Sequence, residues 1–120
     1  MNFEVEYVDL GEYLRVTVRG PWVEKTARSL FDQAKKEAQE RGHDRILFDV
    51  TAWQKPTEIV RFQTGVYLAE VFGAQCKIAA LTLRENLTRL GEDAAVNRGA
   101  WFQVFTDEDS AIGWLLDAPT

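Results

Sequence analysis

The sequence predicts an α/β domain built on a single five-stranded, mostly parallel sheet with an N-terminal antiparallel hairpin. Two observations predict it. Two alternating segments joined by a short turn open the chain, and helical and extended patterns then take turns, giving the order β-β-α-β-α-β-α-β-α. Strands that alternate with helices are parallel neighbours joined by right-handed crossovers. If successive strands are adjacent, the helices gather on one face of the sheet.

Length and composition fit one domain over residues 1–120, because a chain of this size buries about two thirds of its unfolded surface. The net charge of −5, without a cluster of Lys and Arg, argues against nucleic acid as a partner. No apolar run is long enough to cross a bilayer, and the acidic N-terminal residues differ from a signal peptide. The single cysteine excludes an internal disulfide. We therefore expect a cytoplasmic protein without membrane insertion.

The hairpin is predicted to have one dry and one wet face. Apolar residues alternate with charged or polar ones over residues 3–7 and 14–19, and residues 9–12 provide the turn. A four-residue loop there places Tyr7 opposite Leu14 and Glu6 opposite Arg15, so that apolar and charged faces agree across the pair.

The rest of the chain is organised around residues 45–58. Arg45 to Val50 is a short apolar run typical of a central strand, and Thr57 stands where the N-cap of a second helix would lie, at the start of residues 57–72. Open α/β sheets bind ligands and partners where a strand end meets a helix start. The sequence therefore predicts a functional surface near residues 51–57.

The remaining elements follow from helical spacing and from short apolar runs. The predictions are a helix over 23–41, strands over 77–83 and 101–105, a third helix capped by Asn86, and a last helix opened by Thr106. In the last strand, the side chains of Trp101, Gln103 and Phe105 point to one side, and those of Phe102 and Val104 to the other. With all helices on one face, one of these sets needs cover from a terminal segment or a second subunit.

The second helix carries apolar residues on two sides. The broad arc predicted to face the core consists of Ile59, Phe62, Val66, Ala69 and Phe72, and the separate second stripe consists of Val60, Tyr67 and Val71. Together with the preceding loop, this stripe forms a candidate partner-binding surface: Trp53, Lys55, Val60, Thr64, Tyr67 and Val71. The alternative is that a neighbouring element buries these residues.

Residues that could carry catalysis are sparse. Asp49 ends the central strand without another carboxylate, His or Cys close by in sequence, and we expect it to hydrogen-bond the turn that follows. The one histidine, His43, lies in a polar connection, and Cys76 is predicted to be a small packing residue. These residues make neither an acid–base pair nor a zinc site, so we expect no enzyme, no metal and no cofactor.

The order of the elements, the strand end Asp49-x-Thr51 and the tail together resemble a STAS-like domain. The tail reads Asn97-Arg98-Gly99-x-x-x-Gln103-Val104-Phe105-Thr106-Asp107-Glu108-x-x-Ala111-x-x-Trp114-Leu115. This is the fold of anti-sigma-factor antagonists and of the cytoplasmic tails of sulfate transporters. The resemblance implies a non-enzymatic regulatory module that binds protein partners. Antagonists of this family carry a phosphorylatable serine in the turn that opens the second helix, where this sequence has Thr57 as the nearest equivalent and Thr51 as the next.

The leading hypothesis is therefore a cytoplasmic regulatory or protein-interaction module, with phosphorylation at Thr57 or Thr51 and self-association as a homodimer both open. The alternative is a carrier of a small ligand or lipid that uses an apolar pocket beside the N-terminus of the second helix.

Overall fold

The computed structural model describes residues 3–54, 58–84 and 90–117. Its strands form one sheet in the order β1-β2-β3-β4-β5, with β1 antiparallel to β2 and the other neighbours parallel. The fold class predicted from the sequence is thereby confirmed. The elements are β1 (Glu4–Asp9), β2 (Leu14–Pro21), α1 (Glu24–Glu40), β3 (Arg45–Gln54), α2 (Glu58–Phe72), β4 (Lys77–Leu81), α3 (Leu90–Val96), β5 (Trp101–Phe105) and α4 (Glu108–Leu116).

The hairpin forms, but its predicted register was wrong by two residues. Tyr7 pairs with Val16 rather than Leu14, and Arg15 lies opposite Val8 rather than Glu6. The strands continue to Asp9 and Leu14, because Gly11 adopts φ +88° and donates its amide hydrogen to Asp9 Oδ1 at 2.9 Å, which tightens the turn. A shift of two residues preserves which side chains share a face, so the dry face is still the predicted one.

One face of the sheet, here called the three-helix face, packs against α1, α2 and α3. Its centre is an aromatic group in which the rings of Phe31, Phe48 and Phe72 contact one another edge to face, with centroids 5.6–6.1 Å apart. Around it lie apolar side chains from β2, β3, β4 and the three helices. Such edge-to-face packing adds to the stabilisation that burial of the rings already provides.

The opposite face, here called the α4 face, is covered in part by α4, so the prediction that all helices gather on one side was wrong. Ala111 and Leu115 of α4 are fully buried against Leu47, Ala79 and Leu81. The physical reason is that β3 and β4 are apolar on both faces, and each face has to be removed from water. The terminal segment therefore covers Phe105 of the fifth strand in part, while Trp101 on the same side stays 39% exposed.

Polar contacts fix both ends of α4. At its start Asp107, not the predicted Thr106, is the N-cap, and its carboxylate accepts a hydrogen bond from the amide of Ser110 at 2.9 Å. At its end the buried Lys77 ammonium donates to the carbonyl oxygens of Trp114 at 2.5 Å and Asp117 at 3.0 Å. These bonds satisfy carbonyl groups that a helix C-terminus leaves without partners.

The two apolar sides of α2 differ from the predicted ones. Ala69 and Phe72 are buried as expected, and Leu68 joins them, but Phe62 is 38% exposed. Tyr67 and Val71, predicted to form a separate stripe, are half-buried against the core of the three-helix face. The helices α1 and α3 both pack against α2 on the three-helix face, which is why apolar residues occur on two sides of α2.

Candidate functional site

The carboxyl end of β3 extends past its neighbour β4. Leu81, the last residue of β4, pairs with Asp49, so that β3 runs on to Gln54 beside β2 alone, with pairs to β2 at residues 52–54. Along this extension the register with β2 is irregular, because three steps from Asp49 to Ala52 match two steps from Thr17 to Arg19. A strand with an extra residue bends and re-aims its side chains, and such bulges are frequent beside functional sites.

The irregular register determines on which face of the sheet the Trp53 side chain lies. Strict alternation from Phe48 would place the indole on the α4 face, but the extra residue turns it to the three-helix face, where it is only 4% exposed. There its ring lies 6.4 Å from the rings of both Phe3 and Phe31. The expectation that Trp53 forms part of an exposed partner surface is therefore wrong, and the alternative of core burial is the observed arrangement.

A network of polar side chains lies on the α4 face beside this strand end. Asp49 Oδ1 accepts hydrogen bonds from the amide and the hydroxyl of Thr51, at 3.1 Å and 2.7 Å. The carboxylate bonds the residues that follow it, as predicted, but the predicted turn is wrong, because residues 51–54 continue β3. Asp49 Oδ2 accepts from the Arg15 guanidinium at 2.8 Å, and Arg15 also forms an ion pair with Glu108 in the first turn of α4. We call these four residues the Arg15 network.

The other residues predicted at the surface have different positions. Thr64 is buried in the body of the domain. Tyr67 faces α1, with the Arg28 guanidinium 4.9 Å from its ring centre, and the carbonyl oxygen of Val71 accepts from Lys35 Nζ at 2.9 Å. The predicted stripe is thus mainly an α1–α2 contact. Lys55 and Thr57, and the side chain of Val60, lie outside the described residues.

One exposed aromatic on α2 was missed by the sequence reasoning. Phe62 was assigned to the core arc, yet its ring is exposed and the Arg98 guanidinium lies 5.3 Å from its centre. Arg98 is itself held by a hydrogen bond to the carbonyl oxygen of Ala94 at 3.1 Å. A cation above an aromatic face is attracted by the ring quadrupole, so this pair is a preformed feature of the α2–α3 surface. Helical spacing alone could not distinguish it from a core residue.

The described residues contain no group of three or more His, Cys, Asp and Glu side chains that could hold a metal ion. His43 Nε2 lies 2.8 Å from Asp9 Oδ1, at the opposite end of the sheet from Thr51. Cys76 is buried, as expected for a packing residue, and burial raises the pKa of its thiol above the usual value, which disfavours the reactive thiolate. Among residues 3–54, 58–84 and 90–117, no helix has the length and apolar character of a membrane span.

Solved structures match this arrangement over nearly the whole chain. No protein-family model and no curated protein matches the sequence. An anti-sigma factor antagonist from Mycobacterium paratuberculosis superposes with a TM-score of 0.68 at 16% identity, covering 97% of this chain and 96% of that one. A protein from Shewanella loihica, described as a DUF3478 family member with a SpoIIAA-like fold, gives 0.61 at 17% identity, with coverage of 94% and 93%.

A third similar structure is a variant of RsbS from Moorella thermoacetica, with a TM-score of 0.60 at 11% identity and coverage of 92% of this chain and 93% of that one. Likeness over the full length of both partners, at identities this low, is a likeness of fold. Strand order, the antiparallel first strand and the helices between strands all agree with it. The chain therefore has the STAS-like fold that its element order and its tail resembled.

Proposed function

We propose that this chain is a non-enzymatic cytoplasmic regulatory module that binds a protein partner through the surface where β3 leads into α2. The observation that carries the proposal is the exposed ring of Phe62 beneath the Arg98 guanidinium. Other large aromatics nearby, Trp53 and Phe72, are buried, so exposure here is not general along this part of the chain. Aromatic and Arg side chains are enriched at the energetic centres of protein interfaces.

The kind of partner is suggested by the fold. The similar structure from Mycobacterium paratuberculosis is described as an anti-sigma factor antagonist, which supports a protein partner for this chain as well. In this proposal Phe62 replaces Trp53 as the aromatic anchor. Lys55 and Val60 remain proposed contact residues on the same segment.

Control by phosphorylation belongs to the same proposal. Thr57 directly precedes α2, and Thr51 lies at the strand end that leads to it. A phosphate at either position would add about two negative charges beside the segment that joins β3 to α2 and alter the affinity of the proposed contact surface for a partner. Incubation with kinase and ATP, followed by peptide mapping, tests this control. Modification confined to other residues would contradict it.

Partner binding is tested with immobilised protein and a lysate of the source organism. We expect a captured protein whose affinity falls at least about tenfold in Phe62→Ala, because truncation of an interface anchor typically costs 2 kcal/mol or more. Leu10→Ala is the matched control, since Leu10 is a similarly exposed apolar residue at the opposite end of the sheet. Equal capture by both variants would contradict the proposed surface.

The carrier alternative gives a different result in the same material. Native mass spectrometry of the purified protein would show a stoichiometric added mass that disappears on denaturation. Such a mass, together with capture that is insensitive to Phe62→Ala, would favour the carrier over the protein-binding module. Dimer formation is read from the same spectra.

A further inference from the structure

The Arg15 network joins two parts of the molecule that are far apart in sequence. Arg15 on β2 contacts Asp49 on β3 and Glu108 at the first position of α4, across 34 and 93 residues of chain. The network continues from Asp49 to Thr51, whose hydroxyl donates a hydrogen bond to Asp49 Oδ1 at 2.7 Å. One guanidinium thus connects the carboxyl-terminal part of β3 to the helix that covers the α4 face.

The two carboxylates that pair with Arg15, those of Asp49 and Glu108, differ in their exposure to solvent. The side chain of Asp49 is 15% exposed, whereas that of Glu108 is 47% exposed, and the guanidinium between them is 22% exposed. Asp49 also accepts a hydrogen bond from the backbone amide of Thr51 at 3.1 Å, which holds its orientation even when the Thr51 hydroxyl is modified. A more exposed ion pair is weaker because water screens it and solvates the released carboxylate. When Arg15 has to satisfy a further anion, Glu108 is the partner that it loses at the lowest cost.

We propose that Arg15 couples Thr51 to α4, so that a negative charge placed on the Thr51 side chain draws the guanidinium away from Glu108 and loosens the first turn of α4. This inference rests on the proposed function, in which Thr51 is a site of modification. In that step the Thr51 oxygen bonds to the γ-phosphorus of a nucleoside triphosphate bound by a kinase, the bond to the leaving diphosphate breaks, and the hydroxyl proton passes to solvent.

The rest of α4 is held independently, so the expected change is local. Lys77 fixes the C-terminal end of the helix, and Ala111 and Leu115 remain packed in the core of the α4 face. The first turn, by contrast, depends on the Asp107 cap and on the Arg15–Glu108 pair. A released first turn would change the surface beside Tyr13, which is buried in the same cluster as α4.

Amide hydrogen exchange of the isolated protein tests the coupling without any partner. Thr51→Glu should speed exchange of the Ser110 and Ala111 amides, which are hydrogen-bonded to Asp107 at the start of α4, about two- to fivefold, the range expected when one partly exposed ion pair is lost. Amides of α3 should be unchanged. Thr51→Val, which removes the hydroxyl without adding charge, is the matched control and should leave α4 exchange as in the wild type.

A double-variant cycle separates coupling from simple damage. In the Arg15→Gln background the first turn is already loosened, so adding Thr51→Glu should have no further effect on α4. Equal α4 exchange in Thr51→Glu and Thr51→Val, or an effect that persists without Arg15, would overturn the proposal. If Thr51→Glu does not fold, the shorter Thr51→Asp takes its place. A chain that tolerates neither also overturns it, because release of α4 has to leave a folded sheet.

The two proposals can fail separately. If α4 does not respond, the coupling is wrong while capture through Phe62 is unaffected. If α4 responds but capture ignores Phe62, the coupling holds and the proposed binding surface is wrong.

Discussion

The two faces of the sheet are stabilised in different ways. On the three-helix face the strands meet α1, α2 and α3 mainly through apolar contacts centred on Phe31, Phe48 and Phe72. On the α4 face a smaller apolar cluster is flanked by Lys77 at one end of α4 and by the Arg15 network at the other. Removing a methylene from a close-packed core leaves a cavity and lowers stability, whereas the strength of exposed ion pairs changes with pH, salt and competing ions. We therefore expect the three-helix face to provide stability, and the contacts of the α4 face to change with pH, salt or a competing ion.

The largest effect is expected in the core of the three-helix face. Phe48→Ala should lower the free energy of unfolding by about 3–5 kcal/mol, because it opens a cavity where two other aromatic rings meet. Leu47→Ala, at the adjacent buried position on the α4 face, should cost about 2–3 kcal/mol, since it removes fewer atoms and a single helix can settle onto the smaller side chain. Urea unfolding measures both. An equal or larger loss for Leu47→Ala would remove the distinction between the faces.

A smaller effect is expected at the C-terminal end of α4. Lys77→Met keeps most of the apolar stem but leaves the carbonyl oxygens of Trp114 and Asp117 without their charged donor, which should cost about 2 kcal/mol. Arg45→Met is the control at the same helix end, where one bond to Leu116 at 3.2 Å is lost and the cost should stay below about 1 kcal/mol. Thermal unfolding followed by circular dichroism ranks the two. A larger loss of thermal stability in Arg45→Met than in Lys77→Met would show that Lys77 does not hold the helix end.

The smallest effect is a change with pH at the start of α4. The hydrogen bond from the Ser110 amide lowers the pKa of Asp107 below its ordinary value of about 3.9. Because the folded pKa is the lower one, this contribution to stability is fully present above about pH 4 and is lost as the pH falls through the folded value. Asp107→Asn keeps the cap but cannot titrate, so its stability should fall less than that of the wild type on acidification.

Asp107→Ala provides the contrast, because it removes the cap at every pH and should already be less stable than the wild type at pH 7. Urea midpoints at about pH 7 and pH 3 distinguish the three proteins. Identical acid sensitivity of the wild type and Asp107→Asn would show that this carboxylate contributes nothing to the pH dependence of the α4 face.

Local sequence patterns predicted most of the elements because each pattern reflects a local preference. Apolar runs such as Trp101–Phe105 and the helical spacing of α1 gave bounds within a residue or two of the observed ones. The hydrogen bonds from Thr51 to Asp49 were also predicted, because they join residues two apart in sequence, although these residues continue β3 and form no turn.

The candidate site was predicted less well, because each of its errors came from a contact distant in sequence. A register irregularity with β2 turned Trp53 into the core. Packing of α1 against α2 covered Tyr67 and Val71, and left Phe62 exposed beneath Arg98. No pattern within the α2 segment distinguishes these outcomes, since apolar residues occur on two of its sides.

Local patterns and composition were enough to predict the order of strands and helices, which side chains of the hairpin share a face, and the lack of an internal disulfide, because these depend on neighbouring residues or on composition. The tertiary structure decided which face α4 covers, where the indole of Trp53 lies, and that Arg15 joins Asp49 to Glu108. These features depend on how strands align and on which surfaces remain to be buried once the sheet has formed, and both are properties of the whole chain.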